Sequence, residues 1–211
     1  LLDKAIDLKE ELRTDDTGAR HRFQNGYCNC INSDLFTYFE TSFSKSRINF
    51  LEILRQERTD YILNQAALDY MKSQADGARL APKYMEVFEA ELAKSTRVFA
   101  DKTELEAYLL QAGFVAKYAI KTITEALLVG ALVEHGFAAN TLIHSDGAGQ
   151  FNVFVHSLCW KHAERPLIKL RCYNEQQEQE LELKKAAFWQ LYKDLKAFKI
   201  QPDKHKIPIL E

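Results

Sequence analysis

The sequence predicts an α/β fold built on a mixed sheet, and three observations predict it. Residues 12 to 39 carry the turn and strand signals of a three-stranded antiparallel meander. Residues 61 to 135 show mostly helical spacing of apolar side chains. Two further strand patterns follow, from Asn140 to Ser145 and around Val153 to Leu158, before a helical stretch beyond Trp160. We therefore expect three antiparallel strands, two further strands and large helical insertions.

The meander is predicted from its turns. Asn25-Gly26 is a strong hairpin signal because both central positions of a type I′ turn need positive φ. Tyr27 to Ile31 alternates as a half-buried strand should, Asn32 to Asp34 turns the chain again, and Leu35 to Phe39 is rich in strand-forming residues. Ser46 is then the expected N-cap of a helix that covers the sheet.

Composition favours one domain with a sizeable insertion, or two small domains, because 46% of the 211 residues are hydrophobic and 27% are charged. The most apolar stretch, Ala126 to Val133, is far shorter than a membrane span. Leu1 to Ala5 lack the features of a signal peptide, and this start of the sequence predicts an internal fragment. The cysteines form no pair of C-x-x-C motifs, which predicts a reducing, cytoplasmic location. They are Cys28, Cys30, Cys159 and Cys172.

Charge is unevenly distributed, although the net charge of -2 gives no overall attraction to nucleic acid. Seven lysines stand between Lys184 and Lys206, against Asp194 and Asp203. Directly before them lies a group of glutamates: Glu175, Glu178, Glu180 and Glu182. A solvated helix of mixed charge is the simpler interpretation of this stretch, and phosphate binding by the lysines is the alternative.

Two aspartates stand where a strand pattern ends: Asp15, shortly before Thr17-Gly18, and Asp146, before Gly147. An isolated aspartate near a glycine is usually a turn residue. If the two strands are neighbours, however, the carboxylates meet, and two like charges at one position need a cation between them. The sequence therefore predicts Asp15 and Asp146 as catalytic and metal-binding residues. Mg²⁺ or Mn²⁺ is the expected cofactor because these cations prefer oxygen ligands.

Two other acidic residues are alternatives. Asp16 follows Asp15 on the same strand and points to the opposite face of the sheet, so only one of the two can join a shared site. Glu164 lies on the helix directly after the predicted fifth strand, which makes it a candidate third ligand. A surface glutamate paired with Lys161 or Arg165 is the simpler interpretation of Glu164.

Three segments together carry a resemblance to a known family. They are Asp15 to His21 with Asn25-Gly26-Tyr27, Ser145 to Phe151, and His156 to Arg165. Over roughly its whole length, the chain resembles bacterial insertion-sequence transposases with a ribonuclease H-like Asp-Asp-Glu core. The resemblance implies a ribonuclease H-like fold and metal-dependent cleavage and transfer of DNA strands. It also implies a homo-oligomer on transposon ends and target DNA, and a prokaryotic, nucleoid-associated location.

The resemblance further implies a domain organisation. The core would consist of residues 1–58 and 139–171, with a helical insertion at 59–138 and a second, truncated helical insertion at 172–211. The family's final glutamate lies beyond that second insertion, and no segment here matches its motif. The third carboxylate is therefore not located, and the sequence predicts an incomplete fragment. Of the two adjacent aspartates in the first motif, the family pattern favours Asp15.

Other residues with site-like spacing have simpler interpretations. Cys159 and His162 have the spacing of half a zinc site, but no second half is evident, which favours a packed cysteine. Arg20 to Arg22 and Ser44 to Arg47 would suit contacts with DNA phosphates, although a solvated hairpin explains such residues nearly as well.

Three functions follow from these interpretations. The first is a transposase whose metal ions are held by Asp15 and Asp146. The second is a catalytically inactive transposase remnant or a DNA-binding module. The third is an unrelated helical interaction domain with a chance meander, in which the two aspartates would lie far apart. No membrane partner is expected for any of them.

Overall fold

A computed structural model describes residues 11–21, 23–75 and 82–202 of the protein. It divides the chain into two compact units, residues 1–157 and residues 158–211, which we describe separately. The predicted domain boundaries stay predictions. No helix in the described parts of the chain combines the length and the apolar character that crossing a bilayer requires.

Some predictions fall outside these residues. They concern Leu1 to Ala5, the side chain of His21, Arg22, Gly77, and the stretch from Asp203 to Glu211.

The first unit contains a five-stranded mixed sheet, which confirms the α/β prediction. Strand β1 (Glu11–His21) pairs antiparallel with β2 (Gln24–Asn32), and β2 pairs antiparallel with β3 (Thr37–Ser42). Two later strands, which are numbered β6 (Leu142–Ser145) and β7 (Val155–Leu158) in chain order, complete the sheet. The strand order is β3-β2-β1-β6-β7, and β6 runs parallel to β1.

The hairpin between β1 and β2 turns earlier than the sequence predicts. Asn25 and Gly26 lie inside β2, opposite Arg20 and Ala19, and the pairing continues to His21 opposite Gln24. The predicted turn at Asn25-Gly26 is therefore wrong. The buried face of the two strands fixes their register, which places the turn before Gln24. Phe23, directly before β2, has a φ of 65° and an almost fully exposed side chain.

Helix α1 (Arg47–Arg55) follows β3 and begins as predicted. The Ser46 side chain accepts a hydrogen bond from the backbone N–H of Asn49, which is the bond that an N-cap makes. Leu51 and Leu54 of this helix are buried, as the apolar spacing predicts.

The described residues between α1 and β6 form four helices and a small second sheet. Two short strands, β4 (Tyr61–Leu63) and β5 (Arg97–Phe99), pair antiparallel there. The sequence predicts a mostly helical stretch from Tyr61 to His135, and the two strands β4 and β5 are not part of that prediction. In a buried strand of three residues, the two-residue period of a strand cannot be distinguished from the 3.6-residue period of a helix. The helices are α2 (Gln65–Ala75), α3 (Pro82–Leu92), α4 (Lys102–Gln111) and α5 (Lys117–Glu134).

Helix α5 is the central element of the first unit's core. It contacts α1, α2 and β4, and a continuous run from Thr122 to Leu132 is buried. A helix that is buried on all sides shows no single apolar stripe, so its neighbours cannot be read from its own pattern. The largest fully buried side chains of this core include Phe50, Tyr61, Phe88, Phe99, Phe114 and Phe151.

The second unit contains two described helices, α6 (Trp160–Ile168) and α7 (Glu175–Ile200). The Asn174 side chain caps α7 by accepting from the backbone N–H of Gln177. The two helices meet through aromatic rings: Trp160 of α6 lies 4.9 Å from the Phe188 centroid and 5.4 Å from the Tyr192 centroid. Leu191, directly before Tyr192 in α7, is 39% exposed.

Candidate functional site

The two strands that carry the predicted catalytic aspartates are neighbours in one sheet. In the parallel pairing of β1 with β6, Arg13 lies opposite His144. Strand β1 continues beyond this pair to Asp15 and Asp16, and Asp146 directly follows β6. The adjacent aspartates of β1 and the aspartate after β6 thus stand near the same end of this strand pair.

Alternation along β1 separates Asp15 from Asp16. Leu12 and Thr14 are buried on the face that the helices cover, and the side chain of Asp16, on the same face, is 3% exposed. Asp15 is exposed on the other face, where one carboxylate oxygen accepts from the Asp16 backbone N–H at 2.9 Å. The structure therefore buries Asp16 and leaves Asp15, which the family pattern favours, in solvent.

Lys45 and Gln150 hold the Asp16 carboxylate from two sides. Lys45 Nζ lies 2.6 Å from Asp16 Oδ1, and Gln150 Nε2 donates to Asp16 Oδ2 at 2.6 Å. The hydrogen bond to Asp16 raises the pKa of Lys45; burial opposes this shift, and the charges of Asp16 and Asp146 add to it. Lys45 is thus a cation that both carboxylates stabilise.

The loop after β6 is ordered by its own side chains. Asp146 Oδ1 accepts from the Ala148 backbone N–H at 2.9 Å, which makes a local turn. Ser145 is buried, and its hydroxyl donates to the Asp146 carbonyl and lies 2.7 Å from His156 Nε2. Burial lowers the pKa of His156, so its neutral form is favoured. These hydrogen bonds fix the position of Asp146, at which the chain leaves the sheet after β6.

A polar cavity of about 420 Å³ lies beside this cluster. At its wall, Arg47 donates to the Gly149 carbonyl at 2.6 Å, to the Tyr70 hydroxyl at 2.9 Å and to Glu125 at 3.3 Å. The Tyr70 hydroxyl in turn donates to Glu125 at 3.0 Å. Further lining residues include Lys45, Lys121, Tyr118 and Gln150.

Several residues of this cluster have roles that the sequence pattern does not predict. Lys45 and Arg47 are predicted as phosphate contacts, yet each pairs with a carboxylate within the protein. Glu125 directly precedes the apolar run from Ala126 to Val133. An acid beside such a run indicates a buried ion pair, because an unpaired buried charge is strongly unfavourable.

Glu164, the candidate third ligand, is engaged within the second unit. One carboxylate oxygen accepts from Trp189 Nε1 at 2.7 Å and the other from Lys161 Nζ at 3.3 Å. The simpler interpretation, a glutamate paired with Lys161, agrees with these contacts. Among the described residues, no group of three or more histidines, cysteines, aspartates and glutamates lies close enough to hold a metal ion.

Within the part of the chain that the structure describes, the half zinc site has no counterpart either. Cys159 is the N-cap residue of α6 and its side chain makes no capping bond. All four cysteines are free thiols.

The contacts of Glu164 lead to a prediction about pH. The hydrogen bond from Trp189 lowers the pKa of Glu164, and Lys161 adds to the effect. A carboxyl whose folded pKa is depressed contributes stability above its unfolded value of about 4.3, and this stability is lost as the pH falls through the lower folded value. We expect Trp189→Phe to raise the pKa of Glu164, measured by ¹³C NMR titration of its carboxyl carbon.

The matched control for this titration is Gln190→Ala. Gln190 is exposed on the same helix and bonds to Asp194. An unchanged pKa of Glu164 in Trp189→Phe would show that the indole hydrogen bond does not stabilise the carboxylate.

Comparison with known proteins gives one relative with no functional name. The chain is 37% identical over 193 residues to a protein of Sinorhizobium fredii named "Uncharacterized protein y4jO". The aligned residues are 90% of this chain and 58% of the relative, so the chain spans less than two thirds of that protein's length. No protein-family model matches the chain, and no solved structure matches it.

Proposed function

We propose that the first unit belongs to the catalytic core of a DNA transposase, in which Asp16 and Asp146 bind Mg²⁺ or Mn²⁺. One observation carries the proposal: the Asp16 side chain, on β1, is 3% exposed and pairs with the Lys45 ammonium at 2.6 Å, and Asp146 directly follows the adjacent strand β6. Carboxylate oxygens at one edge of a sheet form the oxygen-rich, negative site that a divalent cation prefers.

The sheet supports a ribonuclease H-like arrangement. Three antiparallel strands are followed by a helix, a fourth core strand ends at Asp146, and a fifth core strand lies beyond it. This is the order that the resemblance to insertion-sequence transposases implies. The small sheet of β4 and β5 falls within the insertion predicted at residues 59–138.

The donor set fits Mg²⁺ in part. This cation is typically held by one or two carboxylates, with water and substrate phosphate oxygens completing the octahedron. Asp16 and Asp146 would supply the protein oxygens, and Gln150 orients Asp16 by its hydrogen bond. When bound, the cation would polarise a phosphodiester and activate the attacking oxygen.

The proposal changes one residue of the expected site. Asp15, with Asp146, is the pair that the family pattern favours, whereas the buried contacts with Lys45 and Gln150 support Asp16 in place of Asp15. Because Asp15 and Asp16 point to opposite faces of β1, a single experiment can show which of them is the metal ligand.

The test is nicking of transposon-end DNA with Mg²⁺ by the protein. Asp16→Asn and Asp146→Asn are expected to reduce nicking by at least about 100-fold, because loss of even a group behind a metal ligand costs roughly 10- to 100-fold. Asp15→Asn separates the two assignments. Loss of nicking in Asp15→Asn and its retention in Asp16→Asn would return the role to Asp15. Full activity in Asp16→Asn and Asp146→Asn would contradict the proposed site.

A second candidate is a catalytically inactive remnant that binds DNA. The ion pair of Lys45 with Asp16 favours it, because this contact already neutralises a buried carboxylate with the protein's own cation. The second candidate predicts that transposon-end DNA binds equally well with Mg²⁺ and with EDTA, and that no nick forms in either condition.

A further inference from the structure

The Lys45 side chain is placed so that its ammonium can move away from Asp16. It lies between β3 and α1, its side chain is 39% exposed, and its ammonium contacts a carboxylate that is 3% exposed. A lysine ends in a compact charge on a flexible four-carbon stem, so the charge can move without a change in the backbone. The ammonium lies 5.9 Å from the Tyr27 ring centroid.

We propose that the Lys45 ammonium holds the cation position of Asp16 and Asp146 and is displaced when a divalent cation binds there. This inference rests on the proposed function and deepens it, since it assigns a residue that competes with the metal ion. Lys45 neutralises the Asp16 carboxylate in the metal-free protein and sets the concentration at which the metal ion replaces it.

Charge makes the two cations mutually exclusive. Two carboxylates carry a charge of about -2, which a divalent cation neutralises and a single ammonium neutralises only by half. An ammonium left about 4 Å from a divalent cation would be repelled by several kcal/mol at the effective dielectric of a protein surface. Removal of the lysine charge therefore strengthens metal binding, whereas an ordinary supporting residue weakens it when removed.

The experiment measures Mn²⁺ binding to the 211-residue chain by the loss of the free-ion EPR signal at fixed pH. Lys45→Met keeps the length of the stem without its charge and is expected to bind Mn²⁺ about tenfold more tightly than the wild type. Lys45→Arg keeps the charge and is expected to stay within about twofold. Asp16→Asn and Asp146→Asn are expected to bind at least about tenfold more weakly.

Lys121→Met is the matched control. Lys121 lines the same cavity but pairs with Glu125, and its side chain is 56% exposed. Loss of this charge is expected to leave Mn²⁺ affinity within about twofold, because an exposed charge is screened by solvent.

A second readout uses the wild-type chain and needs no variant that could fail to fold. Amine acetylation followed by mass spectrometry is expected to modify Lys45 several-fold faster with saturating Mg²⁺ than with EDTA, because the ammonium has left Asp16. The rate at Lys121 is expected to stay the same.

The outcomes separate this inference from the proposed function. Mn²⁺ binding that depends on Asp16 and Asp146 but is unchanged or weaker in Lys45→Met, with no change in Lys45 acetylation, would overturn the role of Lys45 and leave the metal site intact. Mn²⁺ binding that depends on neither aspartate would overturn the metal site itself, and the inference with it.

Discussion

Replacement of Gly130 by alanine is expected to destabilise the first unit by about 3 kcal/mol, the upper end of the usual cost of overpacking. A Cβ at this position would lie 2.1 Å from the Ile62 carbonyl oxygen, 2.9 Å from Asn64 Oδ1 and 3.0 Å from Ala67 Cβ. The nearest of these atoms belongs to the backbone of β4, which cannot move without disturbing the small sheet. Chemical denaturation followed by circular dichroism measures the loss.

The sign of this effect is informative. In the interior of an exposed helix, glycine to alanine raises stability by about 1 kcal/mol, because alanine restricts the unfolded chain and favours the helix. At Gly130 the same substitution is expected to lower stability, because α5, β4 and α2 pack together at its Cα. The Gly130 carbonyl also accepts a hydrogen bond from Asn64 Nδ2 at 3.0 Å, so displacement of the helix would break a buried contact.

Gly18→Ala is the matched control for Gly130→Ala. A Cβ at Gly18, in the middle of β1, would meet no atom within 4 Å. The expected change in the free energy of unfolding is within about 0.5 kcal/mol. Equal stability of Gly130→Ala and the wild type would contradict the close approach of α5 to β4.

Local signals in the sequence were sufficient for much of the sheet and for the start of α1. Strand alternation and turn residues predicted β2 and β3, and a serine before an apolar helical pattern predicted the cap at Ser46. The position of the first turn could not be predicted in this way. Asn25-Gly26 suits a type I′ turn in isolation, but the pairing of the buried residues of β1 and β2 decides where the loop falls.

The choice between Asp15 and Asp16 required the covered face of the sheet. The sequence contains an indication of this choice. Leu12 is apolar and, four residues before Asp16, its side chain lies on the same face of the strand as Asp16. Which parity faces the helices is decided by α1 and the loop after β6, which are distant in sequence. The resemblance to a family therefore indicated the aspartate motif, whereas the packing of the first unit indicated its buried member.

The two short strands β4 and β5 and the buried Glu125 could not be assigned from periodicity. Helix α5 is apolar around most of its circumference, so its pattern does not show which side meets β4 and which side meets α1. The partner of Glu125 lies 78 residues earlier in the chain, at Arg47, a separation that no local rule detects.

Glu125→Leu is expected to lower the free energy of unfolding by about 3 to 5 kcal/mol, the usual cost of breaking a buried ion pair by the loss of one partner. The side chains of Glu125 and Arg47 are 5% and 12% exposed, so the remaining guanidinium would be a largely buried, unpaired charge. Tyr70 would lose the acceptor of its hydroxyl. Burial raises the pKa of Tyr70 well above its ordinary value, which keeps this hydroxyl protonated as a donor.

The double variant Glu125→Leu with Arg47→Met isolates the ion pair. Two apolar side chains of similar volume need no counter-charge, so the double variant is expected to recover most of the stability that Glu125→Leu loses. Lys121→Met controls for the outer contact of Glu125, which is 3.8 Å long and involves an exposed lysine; its expected effect is below about 1 kcal/mol. A single variant as stable as the wild type would show that water solvates Arg47 without Glu125.

The same double variant also tests whether this ion pair supports the aspartate site. Arg47 holds the Gly149 carbonyl, and the next residue, Gln150, donates to Asp16. If Arg47 positions this loop, the double variant regains stability but binds Mn²⁺ more weakly than the wild type, because Gln150 no longer orients the carboxylate. If Mn²⁺ affinity recovers together with stability, the ion pair contributes to folding alone, and β6 with the Asp146 turn is sufficient to hold the site.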